Sequence, residues 1–394
     1  MVLRYLSMAQ RVKVAHIITR LELGGAQQNT LYCCEHHDRK KYDVILITGV
    51  GGYLDEQARK IPGCKTYFLP ELKHPIRPWW DWKALGRLTQ ILRDEKVDLV
   101  HTHSSKAGIL GRWAAKKAGV PRVLHTVHGW GFHPGQFFPI RWAYQALERW
   151  AARFTDVLIT VSDENLLAGL AAGIGRPEQY RIIHSGIDPR QYRLSFLQAR
   201  RARTKLQTKG LPCVLVLANF KQQKSPLDVI EVADALRSKV PYALFLWAGD
   251  GPLFGEVERQ IKARGLERHF ILLGWREDIA QLLAACDALL LTSIHEGLPR
   301  VVLQAMAAEK PVVATAVSGT PEAVKHGVTG FLHQPHNTAA MAESLAKILT
   351  EPKLGKKMGK AGRELLKGSF LIDEMLRQIE KTYEKALVKP SKDR

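Results

Sequence analysis

The sequence is poor in the features that mark secreted, metal-binding and membrane-spanning proteins. It has only five cysteines among 394 residues, and their spacing matches no zinc or iron–sulfur pattern. No apolar run is long enough to span a bilayer, and the first residues do not resemble a signal peptide. An odd cysteine count without a secretion signal is typical of a reduced protein. We therefore expect a cytoplasmic protein, long enough for two globular domains.

Acidic residues are also in short supply. The 38 Asp and Glu stand against 58 Lys and Arg, and the resulting net charge of +20 predicts an anionic partner. The basic residues are dispersed and form no known nucleic-acid motif, so we do not expect nucleic acid as the partner. Aromatic residues accompany the charge, which favours an anionic membrane surface and a peripheral location on the inner face of the cell membrane. Core packing of the same aromatic residues is the alternative. They are Trp79, Trp80, Trp82, Phe132, Phe137, Phe138, Trp142 and Trp150, with Arg141, Arg149 and Arg153 interleaved.

Short apolar segments alternate with helical patterns along most of the chain. Such alternation predicts parallel sheets covered by helices on both faces, hence an α/β protein with two doubly wound, Rossmann-like domains facing across a cleft. We expect an N-terminal domain over residues 1–186, a C-terminal domain over 187–369, and a last segment, 370–394, with a helix that crosses back to the first domain and a frayed tail. The predicted strands are Val12–Ile18, Asp43–Thr48, Val97–His101, Val123–Val127, Val157–Val161, Cys213–Leu217, Ala243–Trp247, Phe270–Leu273, Ala288–Leu291 and Val312–Ala316.

The segment from Ser293 to Pro299 carries the clearest chemical signal. It follows an apolar strand and contains one acid, Glu296, and one glycine, while Pro299 suits the first turn of a helix. A helix N-terminus above the carboxyl end of a strand favours an anion such as phosphate. A carboxylate beside it can accept hydrogen bonds from sugar hydroxyls. The combination predicts a site for a nucleotide sugar.

An ordered set of motifs across both halves resembles the group 1 family of retaining glycosyltransferases with the GT-B fold. The resemblance covers nearly the whole chain and is nearest to members that extend bacterial surface polysaccharides. The motifs are Gly24 to Gln27, His101 to Gly108, His125 to Gly129, Lys224 to Pro226, Ala248 to Leu253, Glu296 to Pro299 and His326 to Phe331.

The resemblance implies a catalytic set of Glu296, Lys224 and His128. In the family, the acid at the position of Glu296 binds a hydroxyl of the donor sugar, and the lysine at the position of Lys224 pairs with the donor pyrophosphate. His128 corresponds to a residue beside the donor sugar. We assign no chemistry to the neighbouring histidines His101, His103 and His125, for which strand-end packing or contact with the acceptor is the simpler interpretation.

The resemblance also implies a set of donor-binding residues, of which two depart from the family pattern. Asn219 stands where the family has an arginine, with Lys221 as the nearest replacement cation, and Gln304 stands where a second glutamate binds the ribose. Both changes predict a weaker hold on the nucleotide, because a bidentate guanidinium and a carboxylate charge are lost. The full donor-binding set is Gly25, Asn219, Gly249, Gly251, Trp275, Arg276, Gly297, Leu298 and Gln304.

No Asp-any-Asp sequence occurs in the chain. We therefore expect no metal and no other cofactor, with the departing diphosphate stabilised by Lys224 and a helix N-terminus. The implied activity is transfer of a hexose, with retention, from a nucleotide sugar to a lipid-linked or oligosaccharide acceptor. UDP is favoured over GDP by its frequency in the family. Two alternatives are a catalytically weak partner subunit that binds sugar nucleotide or lipid, and a nucleotide-sugar epimerase.

Overall fold

A computed structural model of the chain describes residues 11–73, 75–133, 135–208 and 210–388. The chain divides into two compact units. Unit 1 comprises residues 1–186 together with 373–394, and unit 2 comprises residues 187–372. The predicted frayed tail, 388–394, lies outside the described residues from position 389 onward. Among the described residues, no helix has both the length and the apolar character needed to span a bilayer.

Unit 1 is built on a parallel sheet of seven strands in the order β3-β2-β1-β4-β5-β6-β7. Strand β1, in the interior of the sheet, is apolar apart from Lys13 and His16, and the residues that follow Lys13 are buried. The strands are β1 Val12–Ile18, β2 Tyr42–Gly49, β3 Cys64–Leu69, β4 Leu99–His103, β5 Arg122–Val127, β6 Val157–Thr160 and β7 Tyr180–Ile182. The helices between them are α1 Gly25–His36, α2 Asp55–Arg59, α3 Pro78–Asp94, α4 Ser105–Ala118, α5 Phe138–Ala152 and α6 Asp163–Ala171.

Unit 2 repeats this plan with six parallel strands in the order β10-β9-β8-β11-β12-β13. Trp247 and Phe220 pack against each other in its core, both fully buried. The strands are β8 Cys213–Leu217, β9 Leu244–Ala248, β10 Phe270–Gly274, β11 Ala288–Leu291, β12 Val312–Thr315 and β13 Gly330–His333. The helices are α7 Phe196–Lys205, α8 Pro226–Arg237, α9 Phe254–Ala263, α10 Ile279–Ala285, α11 Arg300–Ala307, α12 Thr320–Ala323, α13 Thr338–Thr350 and α14 Pro352–Leu365.

The last helix, α15 (Ile372–Val388), packs on the sheet of unit 1. Its Tyr383 is fully buried and lies 2.6 Å from Nδ1 of His101 on β4. Arg122, the first residue of β5, donates from Nε to the carbonyl of Ala386 over 2.6 Å. Met375, Ile379 and Tyr383 recur at helical spacing and are buried, so this helix covers the sheet with one apolar stripe.

Two doubly wound parallel sheets are the predicted fold class, and that prediction is confirmed. β1, β8 and β11 have the predicted bounds, but β4 begins and ends two residues later than predicted, because it continues through two buried histidines. Three strands were not predicted. They are β3, β7 and β13, all at sheet edges, where a strand buries less and its apolar pattern is weaker.

Candidate active site

The predicted donor-binding residues of unit 2 lie at the carboxyl end of its sheet or, in the case of Gln304, on the helix α11. All six strands are parallel, so the loops that follow them emerge at the same end. The chain builds β8, β9 and β10 in one direction and then places β11 on the other side of β8. The switch point therefore lies between β8 and β11, where doubly wound sheets bind their ligands. The loop after β8 leads to Lys224, and the loop after β11 carries Glu296.

Lys224 and Glu296 form an ion pair across this switch point. The lysine ends a short 3₁₀ turn over Gln222–Lys224. Its carbonyl accepts a hydrogen bond from the hydroxyl of Thr292, at 2.8 Å, which ties the two loops together. The Glu296 carboxylate is 9% exposed and also accepts a bond from the Ser293 hydroxyl over 2.6 Å. The sequence predicted both residues for the site but not their direct pairing.

The loop that carries Glu296 is held on both sides. The hydroxyl of Thr315 donates to the carbonyl of Ser293 at 2.5 Å. The Glu296 amide donates to Oγ of Ser318 at 3.0 Å, and the Gly319 amide donates to the carbonyl of Gly297 at 2.9 Å. Because backbone and side chains both contribute, the carboxylate has a fixed position relative to the sheet.

Gly297 and Leu298 follow Glu296 directly and are buried. The helix α11 begins at Arg300, so Pro299 is the residue before its first turn, with extended backbone, rather than a member of that turn. The first backbone N–H groups of α11 come directly after this loop and lack partners one turn earlier in the helix, although the Val302 amide already donates to the Pro299 carbonyl at 3.0 Å. The loop thus combines a carboxylate with amide donors of the kind that bind phosphate.

Gly249 and Gly251 follow β9 and lie against the residues that follow β8. A Cβ atom on Gly249 would stand 2.2 Å from the carbonyl oxygen of Ala218, and one on Gly251 would stand 2.7 Å from that of Phe220. Glycine is needed here to bring two backbones together. Asn219, between Ala218 and Phe220, is half-buried in the adjoining loop.

Trp275 and Arg276 follow β10, the outermost strand on one side of the sheet, at the same carboxyl end. Trp275 is 41% exposed and is therefore not a core residue. Arg276 makes a bidentate pair with the Asp278 carboxylate, with bonds of 2.7 and 2.5 Å. This hydrogen bonding holds the pKa of Asp278 below its usual range. The arginine charge is therefore already matched within the loop.

Gln304 lies on α11 and is buried. Its Nε2 donates to the hydroxyl of Tyr192 over 2.9 Å, a contact that the sequence did not predict. Binding of ribose by Gln304 stays a prediction, and any such bond would have to be compatible with this contact.

Gly25 and His128 belong to unit 1. Gly25 is the first residue of α1, with Gly24 as its N-cap. His128 follows β5, is half-buried, and its Nε2 lies 3.2 Å from Nδ1 of His103. It is thus the outer member of a histidine cluster whose other members, His16, His37, His101 and His103, are buried.

Sequence reasoning missed this cluster. The available signal was the spacing of His101 and His103, two apart on one strand and hence on one face of the sheet. His16 on β1 is in register with His101. Ligand nitrogens of His16, His101 and His103 lie within 4.8 Å of one another. Burial lowers the pKa of each well below its usual value, so all three are neutral.

Comparison with known proteins covers both units. A sequence family described as glycosyl transferases group 1 matches residues 199–365, and a glycosyl transferase 4-like domain matches residues 24–186. The Escherichia coli UDP-Gal:alpha-D-GlcNAc-diphosphoundecaprenol alpha-1,3-galactosyltransferase is 30% identical over 381 residues, which cover 95% of this chain and 97% of that protein. The Campylobacter jejuni N,N'-diacetylbacillosaminyl-diphospho-undecaprenol alpha-1,3-N-acetylgalactosaminyltransferase is 24% identical, and the match covers 82% of this chain and 86% of that protein.

Among solved structures, Anabaena Alr3699/HepE in complex with UDP-glucose superposes with a TM-score of 0.83 and 25% identity, covering 95% of this chain and 100% of that one. The likeness extends through both sheets, as do the family matches. The chain therefore belongs to the group 1 glycosyltransferases and has the GT-B fold.

Proposed function

We propose that this glycosyltransferase moves a sugar from a UDP-sugar to a hydroxyl of a lipid-linked glycan, with retention of anomeric configuration, in the synthesis of a surface polysaccharide. The observation that carries the proposal is the ion pair of Lys224 and Glu296 at the switch point of unit 2. It sets a cation suited to diphosphate beside a carboxylate suited to sugar hydroxyls.

The order of strands supports a linear layout for the donor. From β10 to β11, the loops at the carboxyl end of the sheet carry Trp275, then Gly249 and Gly251, then Lys224, and last Glu296. Three strand spacings amount to about 14 Å, enough for an extended base, ribose, diphosphate and sugar. In this layout Trp275 and Arg276 meet the base and Lys224 the diphosphate. Gln304 lies on α11, outside this row of loops, and we propose that it binds the ribose. Gly297 and Leu298 supply amides to the sugar and its phosphate, and Asn219 lies beside the diphosphate.

The proposed chemistry requires no nucleophile from the protein. The diphosphate begins to leave and an oxocarbenium-like centre develops at the anomeric carbon. The acceptor hydroxyl attacks from the same face and gives its proton to the departing phosphate. Lys224 and the N-terminus of α11 stabilise the negative charge that builds on the leaving group. This arrangement supplies the electrostatic help without a metal ion, and we propose that the reaction is metal-independent.

The choice of donor and acceptor rests on the relatives. The E. coli relative is named for UDP-galactose and a diphosphoundecaprenol acceptor, and the Anabaena structure holds UDP-glucose. We assign the donor to residues 187–369 and the acceptor to residues 1–186, where Gly25 and His128 lie. The segment 370–394 is then part of the acceptor side.

A surface of exposed aromatic residues supports attachment to an anionic membrane. Trp79 and Trp82 on α3, and Phe137, Phe138 and Trp142 at the start of α5, are 57–71% exposed. The group on α3 lies beside the start of α4. There Lys106 bonds the Pro75 carbonyl at 2.6 Å and pairs with Asp81 at 2.5 Å.

Not every aromatic residue predicted for this surface belongs to it. Trp150 packs edge-on against Trp113 and Phe154, and Phe132 stacks on Trp130. The predicted alternative of core packing therefore applies to this inner group, while the outer group supports the membrane proposal. Exposed aromatic rings favour the level of the headgroups, and the net charge of +20 favours anionic lipid.

Co-sedimentation with vesicles tests the attachment. Wild type should bind vesicles that contain an anionic lipid better than neutral vesicles, and the pair Trp79→Ser and Trp82→Ser should lower this binding. Phe196→Ser is the matched control, because Phe196 is 80% exposed in unit 2. Equal binding of wild type and the double variant would refute the proposed surface.

A transfer assay tests the function. Wild type is incubated with UDP-sugars and diphospholipid-linked sugars, in the presence of a chelator, and the anomeric configuration of the product is read by NMR. Glu296→Ala should abolish transfer. Conversion of the UDP-sugar into an isomeric UDP-sugar in the absence of an acceptor would indicate an epimerase instead. UDP-sugar binding without any transfer by the wild type would indicate a partner subunit.

A further inference from the structure

Four imidazole rings in unit 1 form a continuous line of hydrogen bonds that ends on a carboxylate. The contacts are 2.9 Å from Glu380 to Nδ1 of His37, 3.1 Å from Nε2 of His37 to Nε2 of His16, 3.1 Å from Nδ1 of His16 to Nε2 of His103, and 3.2 Å from Nδ1 of His103 to Nε2 of His128. We call His37, His16, His103 and His128 the histidine chain.

Distant parts of the sequence build this line. His16 lies on β1 and His103 on the neighbouring β4, while His37 caps the end of α1. Glu380 lies on α15, 343 residues from His37. The three inner rings are at most 2% exposed, so water does not supply alternative partners.

The carboxylate determines where each proton lies. Glu380 also accepts the amide of Asp38 at 3.1 Å, on the same oxygen as His37. Burial opposes its ionisation, but the hydrogen bonds from His37 and the Asp38 amide outweigh burial and hold its pKa below the usual value. An ionised carboxylate only accepts hydrogen bonds, so His37 must donate from Nδ1.

The remaining protons follow from this first one. A neutral imidazole has one N–H donor and one acceptor nitrogen, and burial lowers the pKa of His37, His16 and His103, which makes them neutral. Nε2 of His37 is then an acceptor, so His16 donates from Nε2. By the same rule His103 donates from Nε2, and so does His128.

We propose that Glu380 sets a single tautomer at the three inner rings of the histidine chain, and that Nδ1 of His103 is therefore an acceptor that orients His128 through its Nε2–H. Glu380 and the inner rings are positioning residues, since they act through His128. The second half of the proposal rests on the proposed catalytic role of His128.

The surrounding contacts are consistent with this proton order. The Tyr383 hydroxyl lies 2.6 Å from Nδ1 of His101 and 3.5 Å from Nε2 of His16. It can donate to His101 while its oxygen faces the N–H of His16. Nε2 of His101 then donates to the hydroxyl of Thr126 at 2.7 Å. Both nitrogens of His101 are thus engaged outside the line, which disfavours the competing interpretation of His16, His101 and His103 as a metal site.

The test is a ¹⁵N NMR measurement of the histidine tautomers in the full-length protein, assigned by single His→Gln variants. A protonated ring nitrogen and a bare one differ strongly in ¹⁵N shift. We expect Nδ1–H at His37 and Nε2–H at His16, His103 and His128. Nε2–H at His37, or a stoichiometric metal ion whose removal changes these signals, would overturn the proposal.

Two variants of Glu380 separate the carboxylate's role from general stability. Glu380→Leu removes the acceptor, so the signals of the chain should average over both tautomers. Glu380→Gln keeps an acceptor oxygen and should retain the wild-type pattern. Glu384→Leu, on the same helix in an exposed pair with Lys41, is the control. Unchanged tautomers in Glu380→Leu would contradict the proposal.

Activity tests the second half. Glu380→Leu should lower kcat/KM for the UDP-sugar by about 10- to 100-fold, the range for groups that orient a functional histidine, while UDP affinity stays unchanged. Glu380→Gln should restore most of this loss. Altered tautomers with unchanged kcat/KM would refute a role for the orientation of His128 in transfer. A wild type without transferase activity would refute the proposed function, and the tautomers would still decide the role of Glu380.

Discussion

The ion pair of Lys224 and Glu296 allows a prediction with a worked magnitude. The two side chains are 21% and 9% exposed, so the pair is largely removed from water. Breaking a fully buried pair costs about 3–5 kcal/mol, and losing a charged hydrogen bond costs about 1.5–3 kcal/mol. Glu296 retains the Ser293 hydroxyl when the lysine is lost. We therefore expect Lys224→Met to destabilise unit 2 by about 2 kcal/mol.

A double-mutant cycle with Glu296→Gln measures the coupling. The double variant should be more stable than the sum of the single losses predicts, by about 1–3 kcal/mol, since neither charge is then left alone. The unfolding midpoint of Lys224→Met should fall by about 4–8 °C, from about 2–4 °C per kcal/mol for a unit of this size. Thermal unfolding followed by circular dichroism gives all four values.

The same variants are assayed for transfer. Lys224→Met should lower kcat by about 100- to 1000-fold, the usual loss for one group that stabilises charge in the transition state. Lys239 and Glu343 form an exposed pair of 2.8 Å in the same unit, and its cycle should give less than about 0.5 kcal/mol. A coupling energy below about 0.5 kcal/mol between Lys224 and Glu296 would refute this explanation. So would a kcat of Lys224→Met within threefold of the wild-type value.

Three further predictions concern the backbone, the nucleotide and pH. Gly249→Ala should destabilise unit 2 by more than 2 kcal/mol, because its Cβ would overlap the Ala218 carbonyl, whereas Gly255→Ala has open space and should be neutral or stabilising; urea unfolding compares them. Trp275→Ala should weaken UDP binding by about 1–3 kcal/mol by calorimetry if the indole stacks on the base, and unchanged affinity would contradict that stacking. The stability of unit 1 should fall as the pH drops below about 6.5, because the unfolded chain then binds protons that the folded one excludes, at up to about 1.4 kcal/mol per pH unit for each histidine. A urea midpoint that is the same at pH 7.5 and 5.5 would contradict this. In unit 1, histidines with lowered pKa values are His16, His37, His101, His103 and His125.

Much of the fold was predictable from local pattern. Short apolar runs between helical segments predict a parallel sheet, because a strand buried on both faces cannot alternate polar and apolar residues. This reasoning located β1, β8 and β11 without error in their bounds. It failed at β3, β7 and β13, since edge strands are only partly buried.

The site was predictable in its members but not in its contacts. The loop around Glu296 follows a strand and precedes a helix, and that order is visible in the sequence. The partners of Gln304 and Arg276, however, depend on which side chains the fold brings near, and neither Tyr192 nor Asp278 was predicted for them. The exposed fractions of Trp79 and Trp150 likewise depend on how α3, α4 and α5 pack.

The sequence by itself determined the two-sheet class, the acid-containing loop after β11 and the excess of positive charge, because each depends on residue type and short-range spacing. The tertiary structure alone decided which distant residues meet. Strand order brings Lys224 to Glu296 across 72 residues, and the return of α15 brings Glu380 to His37 across 343. Such contacts depend on sheet topology and long-range packing, which have no signature in local periodicity.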